Sequence, residues 1–171
     1  DPVYAIDGQL SGTLGFICSQ LDQGVAFSQA VAEAKAKGFT EPDPREDLGG
    51  QDVMRKVLIL ARMAGWSFEA SEISVESLYP AEMAGLSVAA FMTAVSDLDE
   101  AMSERVAAAA AEDKVLRYVA QVQEGRGVVG LQALPADSPL ANLTYIRFQT
   151  ERYNDEPLLI GGTGAGVEMT A

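Results

Sequence analysis

Apolar residues recur every three or four positions in the first two-thirds of the chain and every second position in the last third. Val3 to Leu10 (VYAIDGQL) is a short β-leaning run. From Ser11 the spacing turns helical, with Leu14, Ile17, Cys18 and Leu21 at i, i+3, i+4 and i+7, one buried stripe behind a serine N-cap. Cys18 reads as a core member of that stripe. A second helix is predicted from about Ser28 to Lys37: Phe27 precedes a Ser28 cap, Ala30, Val31 and Ala34 form the apolar side, and Gly38 stops it. Prolines and glycines punctuate Glu41 to Gly50, which reads as loop. The strongest helical pattern runs from Gln51 to about Ala64 and ends at Gly65. Val57 to Ala61 is apolar all round, which predicts a helix buried for most of its length.

Trp66 to Tyr79 reads as connector with a short strand at Ile73 to Leu78, and Val88 to Glu112 as one long Ala-rich helix. Val115 to Gln123 and Val128 to Leu134 alternate on either side of a Gly125–Gly127 turn, a hairpin signal. Leu143 to Thr150 and Pro157 to Ile160 add two more strands. Helices first and sequential strands later predict an α+β fold with a mixed, largely antiparallel sheet.

Composition narrows the chemistry. The 171 residues suit one domain of moderate size, and 25 acidic against 12 basic residues give a formal charge of −13. Charge of that sign repels phosphates, which argues against nucleic-acid and anionic-membrane partners. With no histidine, Ser-His-Asp and Cys-His catalysis and His-ligated zinc are excluded, and a single cysteine makes no internal disulfide. No apolar stretch approaches the ~20 residues of a spanning helix, and no basic segment leads into an apolar signal, so a cytoplasmic protein is expected. The chain opens on Asp1 without an initiator Met and stops just after a glycine-rich loop, which reads as a piece of something longer.

Residues 41 to 52, EPDPREDLGGQD, set five carboxylates (Glu41, Asp43, Glu46, Asp47, Asp52) against Arg45. A solvated acidic loop capping a helix is one reading, with Asp47 near the helix N-terminus. A calcium loop is another, although the EF-hand spacing is not met. The helix beyond adds weight. Asp52 and Lys56 lie four apart on one face, which continues to Ile59, Leu60 and Met63. An ammonium leaving water beside a carboxylate is suited to proton transfer. In a chain without histidine, Lys56 is the best candidate for that task.

Ala34, Gly38-Phe39-Thr40, Asp43-Pro44, Asp47-Leu48, Gly50, Asp52 and Lys56 together resemble the signature of homoserine dehydrogenases. The resemblance extends to Leu10-Ser11-Gly12-Thr13-Leu14, to Lys114 through Val119, and to Gly162-Thr163-Gly164-Ala165-Gly166. The wording of residues 41 to 62 is most similar to the dehydrogenase half of bifunctional aspartokinase–homoserine dehydrogenases. The resemblance implies a single substrate-binding, catalytic and dimerisation domain over 1–171, with helices on one face of the sheet and without the Rossmann domain that comes first in the family. The implied reaction is reversible reduction of aspartate 4-semialdehyde to homoserine with NADP or NAD, the cofactor bound mostly by the absent domain. The family also implies a homodimer or higher homo-oligomer.

The same resemblance assigns roles. Glu41 and Asp47 hold the substrate ammonium, and Asp52 orients its hydroxyl or carbonyl end. Lys56 exchanges the hydroxyl proton, and the Gly12-Thr13 turn lies near the substrate. Gly164, Ala165 and Gly166 lie near the cofactor. Asp43 and Glu46 are expected to be structural or solvated, and Arg45 a local counter-charge. Phe39 stands where many members carry tyrosine. Two other classes stay open at this point: a non-catalytic dimerisation or regulatory module of the same fold, and an acidic metal-binding domain.

Overall fold

The computed structural model describes residues 1–162. Six strands, β1 (Val3–Gly8), β2 (Ile73–Val75), β3 (Lys114–Gln123), β4 (Arg126–Pro135), β5 (Thr144–Thr150) and β6 (Leu158–Gly162), form one sheet in the order β2-β4-β3-β1-β5-β6. Only β2 runs parallel to its neighbour, β4; the other pairings are antiparallel. The sequence hairpin is present in full, with Lys114 opposite Pro135 and Gln123 opposite Arg126. The first strand lies between β3 and β5, so the turn that follows it, Gln9 to Ser11, emerges beside the middle of the sheet.

Alternation decides which face is covered. Leu116, Tyr118, Ala120 and Val122 of β3 belong to the core, whereas Gln121 and Gln123 are exposed. The helices α1 (Gly12–Asp22), α4 (Gln51–Met63) and α6 (Asp99–Ala110) all pack against β3, with α2 (Phe27–Ala36) against α1 and α6. The opposite face carries a polar array of Asp7, Gln121, Gln123, Arg147 and Gln149 around a shallow pocket. The architecture is the expected α+β one, a mixed sheet with helices on one face.

Four elements differ from the sequence expectation. The helix predicted from Val88 to Glu112 is broken: α5 (Val88–Ala94) gives way to a 3-10 turn, Val95–Leu98, before α6. The break sends Asp99 across to the start of α2, where its carboxylate accepts from Ser28 N (2.7 Å) and Ser28 Oγ (2.7 Å). Ser28 is therefore not the cap of α2. The helix begins at Phe27 after Ala26, which offers no side-chain acceptor, and the capping acceptor comes from 71 residues away. Asp99→Ala should destabilise the domain by about 1 kcal/mol and lower its melting temperature by about 2–4 °C in a thermal scan. A variant that melts with wild type would show that α2 needs no borrowed cap.

The acidic loop contains a helical turn, α3 (Arg45–Leu48). And α4 is amphipathic rather than buried all round: Val53, Val57 and Ala61 enter the core, while Ile59 is 57% and Met63 77% exposed. Five consecutive apolar residues encircle a helix, but the i, i+4, i+8 stripe is the part fully buried, with Leu58 and Leu60 packed half-buried beside it. Among the described residues no helix is long and apolar enough to cross a membrane.

Candidate active site

Gly50 begins α4 in the left-handed conformation (φ 69°), which turns the chain out of α3 and directly into the new helix. Asp52 then falls in the first turn of α4, where the helix dipole favours a carboxylate, and Lys56 follows one turn later. The Lys56 ammonium donates to the carbonyl of Leu10 (2.9 Å) and lies 3.2 Å from Asp52 Oδ2. Its side chain is 31% exposed and that of Asp52 62%. An ion pair so open contributes little to stability. Its effect is directional: the ammonium is held over the turn between β1 and α1.

That turn connects to the acidic loop. Ser11 caps α1, accepting from Leu14 N, so Gly12 and Thr13 occupy the first turn, whose backbone N–H groups have no acceptor within the helix. The Thr13 hydroxyl donates to Phe39 O (2.6 Å). Two residues on, Glu41 N donates to Asp47 Oδ2 (2.8 Å), and the Glu41 residue itself is exposed. Phe39 rests edge-on against Phe16, ring centroids 5.1 Å apart. Segments 10–13, 39–41 and 47–56 are thus brought together by a chain of short contacts. Gly12, Thr13, Glu41, Asp47, Asp52 and Lys56 all lie on that chain, whereas Gly164, Ala165 and Gly166 lie outside the described residues.

Several side chains have work the sequence did not reveal. The hydroxyl of Thr13 and one oxygen of Asp47 are both engaged in shaping the loop. Asp43 accepts from Arg45 Nε and Nη2, and these bonds hold its carboxyl below the ordinary range. Asp43 is structural, as expected. Arg45 is more than its counter-charge, since it also donates to three backbone carbonyls. The Leu10 carbonyl that receives Lys56 has no sequence signature at all. Leu10 stands in the resemblance, but only the fold shows which of its atoms counts.

A cavity of about 800 Å3 touches this site at Leu10, Gly12 and Thr13 and extends along α1 to Arg117 and Asn142. Glu41, Asp47, Asp52 and Lys56 do not line it. The chemistry on offer is a set of carboxylates for a cation, helix N–H groups for an anion, and one ammonium for a hydroxyl or carbonyl oxygen. A dinucleotide is a different matter. The β1–α1 turn reads Gly8-Gln9-Leu10-Ser11-Gly12, which lacks the close glycine spacing that lets backbone approach a pyrophosphate. The described residues do not by themselves cradle a dinucleotide. Among them, no three acidic or cysteine groups are placed to hold a metal ion.

The family model described as homoserine dehydrogenase matches residues 1–171. The chain belongs to the homoserine dehydrogenase family. It is 45% identical to the bifunctional aspartokinase/homoserine dehydrogenase of Haemophilus influenzae over 176 residues, which is 100% of this chain and 22% of that protein. It is 46% identical to the homoserine dehydrogenase of Paracoccidioides brasiliensis over 187 residues, 100% of this chain and 50% of that protein. The chain thus spans between about a fifth and a half of the length of these curated relatives. Among solved structures, a Candida auris protein described as of unknown function superposes with a TM-score of 0.89 at 40% identity, covering 99% of this chain and 51% of that one. The homoserine dehydrogenase of Thiobacillus denitrificans shares the fold, with a TM-score of 0.75 at 23% identity over 99% of this chain and 37% of that one.

Proposed function

We propose that this chain is the substrate-binding and catalytic domain of a homoserine dehydrogenase, interconverting aspartate 4-semialdehyde and homoserine. The observation that carries the reading is the placement of Lys56, held by Leu10 O and Asp52 at one end of a chain of contacts whose other end is Glu41 and Asp47. A zwitterionic amino acid with a terminal hydroxyl needs that pair of poles.

In this reading Glu41 and Asp47 bind the substrate ammonium, and the first-turn N–H groups at Gly12 and Thr13 face its carboxylate. Asp52 orients the ammonium of Lys56 towards the substrate's oxygen. In the reducing direction Lys56 gives its proton to the oxygen as negative charge grows there; in the oxidising direction neutral Lys56 takes the proton back. A nicotinamide cofactor, NADP or NAD, supplies or accepts the hydride, and its binding residues lie mostly outside this chain. A solved relative by fold, a hyperthermophilic archaeal homoserine dehydrogenase, is described in complex with NADPH. We also propose that a second copy of the chain pairs against the outer face of the sheet, where Leu159 of edge strand β6 (41% exposed) stands opposite Arg147.

The test is homoserine oxidation by the full-length protein with NADP or NAD, compared with its Glu41→Gln variant. Glu41→Gln should raise the homoserine KM about tenfold and leave the cofactor KM within about twofold. The opposite pattern would remove Glu41 from the ammonium site. A folded wild-type protein that binds homoserine without turning it over would favour the non-catalytic module.

A further inference from the structure

α3 is a single turn of four residues with no side-chain cap, too short to be stable alone. It nevertheless carries Asp47 and delivers the chain to Gly50 and Asp52. Two contacts fix its C-terminal end: Leu48 is fully buried, and its carbonyl accepts from Leu78 N (2.9 Å). At the N-terminal end Asp43 Oδ1 accepts from Arg45 N (3.1 Å), and the Arg45 side chain ties the turn to the rest of the fold. Arg45 Nη1 donates to the carbonyls of Met83 (3.2 Å), Ala84 (2.8 Å) and Leu86 (2.8 Å). Its Nε and Nη2 take both oxygens of Asp43, and its Cζ lies 5.3 Å from the centre of the Phe91 ring in α5. The Arg45 side chain is only 13% exposed.

We infer that Arg45 is a positioning residue for the substrate carboxylates, clamping α3 to the 83–86 segment so that Asp47 and Glu41 are held in register with Lys56. The inference rests on the function proposed above. Asp47 holds the backbone of Glu41 through Glu41 N, so the segment that carries Glu41 moves with α3. Lys56 is carried by α4, which Val53, Val57 and Ala61 anchor independently in the core. Loosening Arg45 therefore displaces the ammonium-binding pole and leaves the proton-transfer pole in place. A lysine in its place keeps the charge opposite Asp43 but replaces a planar fork with a point donor that cannot serve Asp43 and three carbonyls together.

The experiment is steady-state kinetics of the full-length protein carrying Arg45→Lys, Asp43→Asn or Asp47→Asn, with an Arg45→Lys/Asp47→Asn double variant. Arg45→Lys should raise the homoserine KM about tenfold, with kcat within about threefold and the cofactor KM within about twofold of wild type. Asp47→Asn should add less to KM in the Arg45→Lys background than in wild type, because the two residues act through one element. Asp43→Asn, which leaves Arg45 its three carbonyls, should change the homoserine KM by less than about threefold. Arg45→Lys with an unchanged homoserine KM would overturn the inference. So would an Asp43→Asn variant as impaired as Arg45→Lys, since Arg45 would then be a counter-charge only. Either result in an enzyme that oxidises homoserine leaves the proposed function standing. A wild-type protein that does not act on homoserine fails the function itself.

Discussion

Lys56→Met in the full-length protein is expected to lower kcat by about a hundredfold to a thousandfold, for homoserine oxidation and for aspartate semialdehyde reduction alike. In the proposed mechanism the same group gives the proton in one direction and takes it in the other, so the loss is expected in both. Methionine has comparable length and no titratable atom. The α4 stripe that fixes the helix, Val53, Val57 and Ala61, is untouched, so the variant should fold. The homoserine KM should change little, because the carboxylates proposed to bind the ammonium, Glu41 and Asp47, sit on other segments. Losing the Lys56 bond to Leu10 O releases a carbonyl beside a partly exposed turn, where water can replace it. Turnover within a few-fold of wild type in both directions would show that the proton is handled elsewhere.

Gly50→Ala should produce the largest loss of stability. A Cβ at position 50 would stand 2.0 Å from the Tyr118 hydroxyl oxygen and 3.0 Å from Val75 Cγ1. Tyr118 cannot easily yield: it is buried, and its hydroxyl donates to Glu76 O (2.6 Å). Burial also keeps that hydroxyl neutral, by pushing its ionisation well above the usual phenol range. The left-handed backbone alone costs a non-glycine residue about 1–2 kcal/mol. Overpacking against Tyr118 and Val75 adds about 1–3 kcal/mol. A total near 3 kcal/mol corresponds to a fall of about 6–12 °C in the melting temperature of a domain this size. Tyr118→Phe in the Gly50→Ala background should recover part of the loss by vacating the oxygen. A Gly50→Ala protein that melts within about 2 °C of wild type would contradict this account of the glycine. The position matters to the site because Gly50 joins the turn bearing Asp47 to the helix bearing Asp52 and Lys56.

The elements that could be read from the sequence are those specified locally. The α1 stripe with its Ser11 cap and the β3–β4 hairpin each depend on residues within one segment, and both stand where expected. What could not be read depends on distant partners. The cap of α2 is Asp99, and the break that frees Asp99 for it looks in sequence like unbroken alanine-rich helix. The five apolar residues of α4 showed that the helix meets a core, but not which stripe does; the sheet decides that. The site divides the same way. Its charged residues stand at spacings that match the family, so they were visible at once. The groups that aim them, the carbonyls of Leu10, Phe39, Met83, Ala84 and Leu86, are backbone atoms that any residue supplies. In sequence Arg45 is a counter-charge to its neighbours; its acceptors in the fold lie about forty positions away.

The most direct test of the central claim is a crystal structure of the full-length protein with bound homoserine. The account predicts the substrate ammonium within hydrogen-bonding distance of the Glu41 and Asp47 carboxylates and the terminal hydroxyl at Lys56 Nζ. Homoserine bound in the reverse orientation, or away from the turn between β1 and α1, would contradict it.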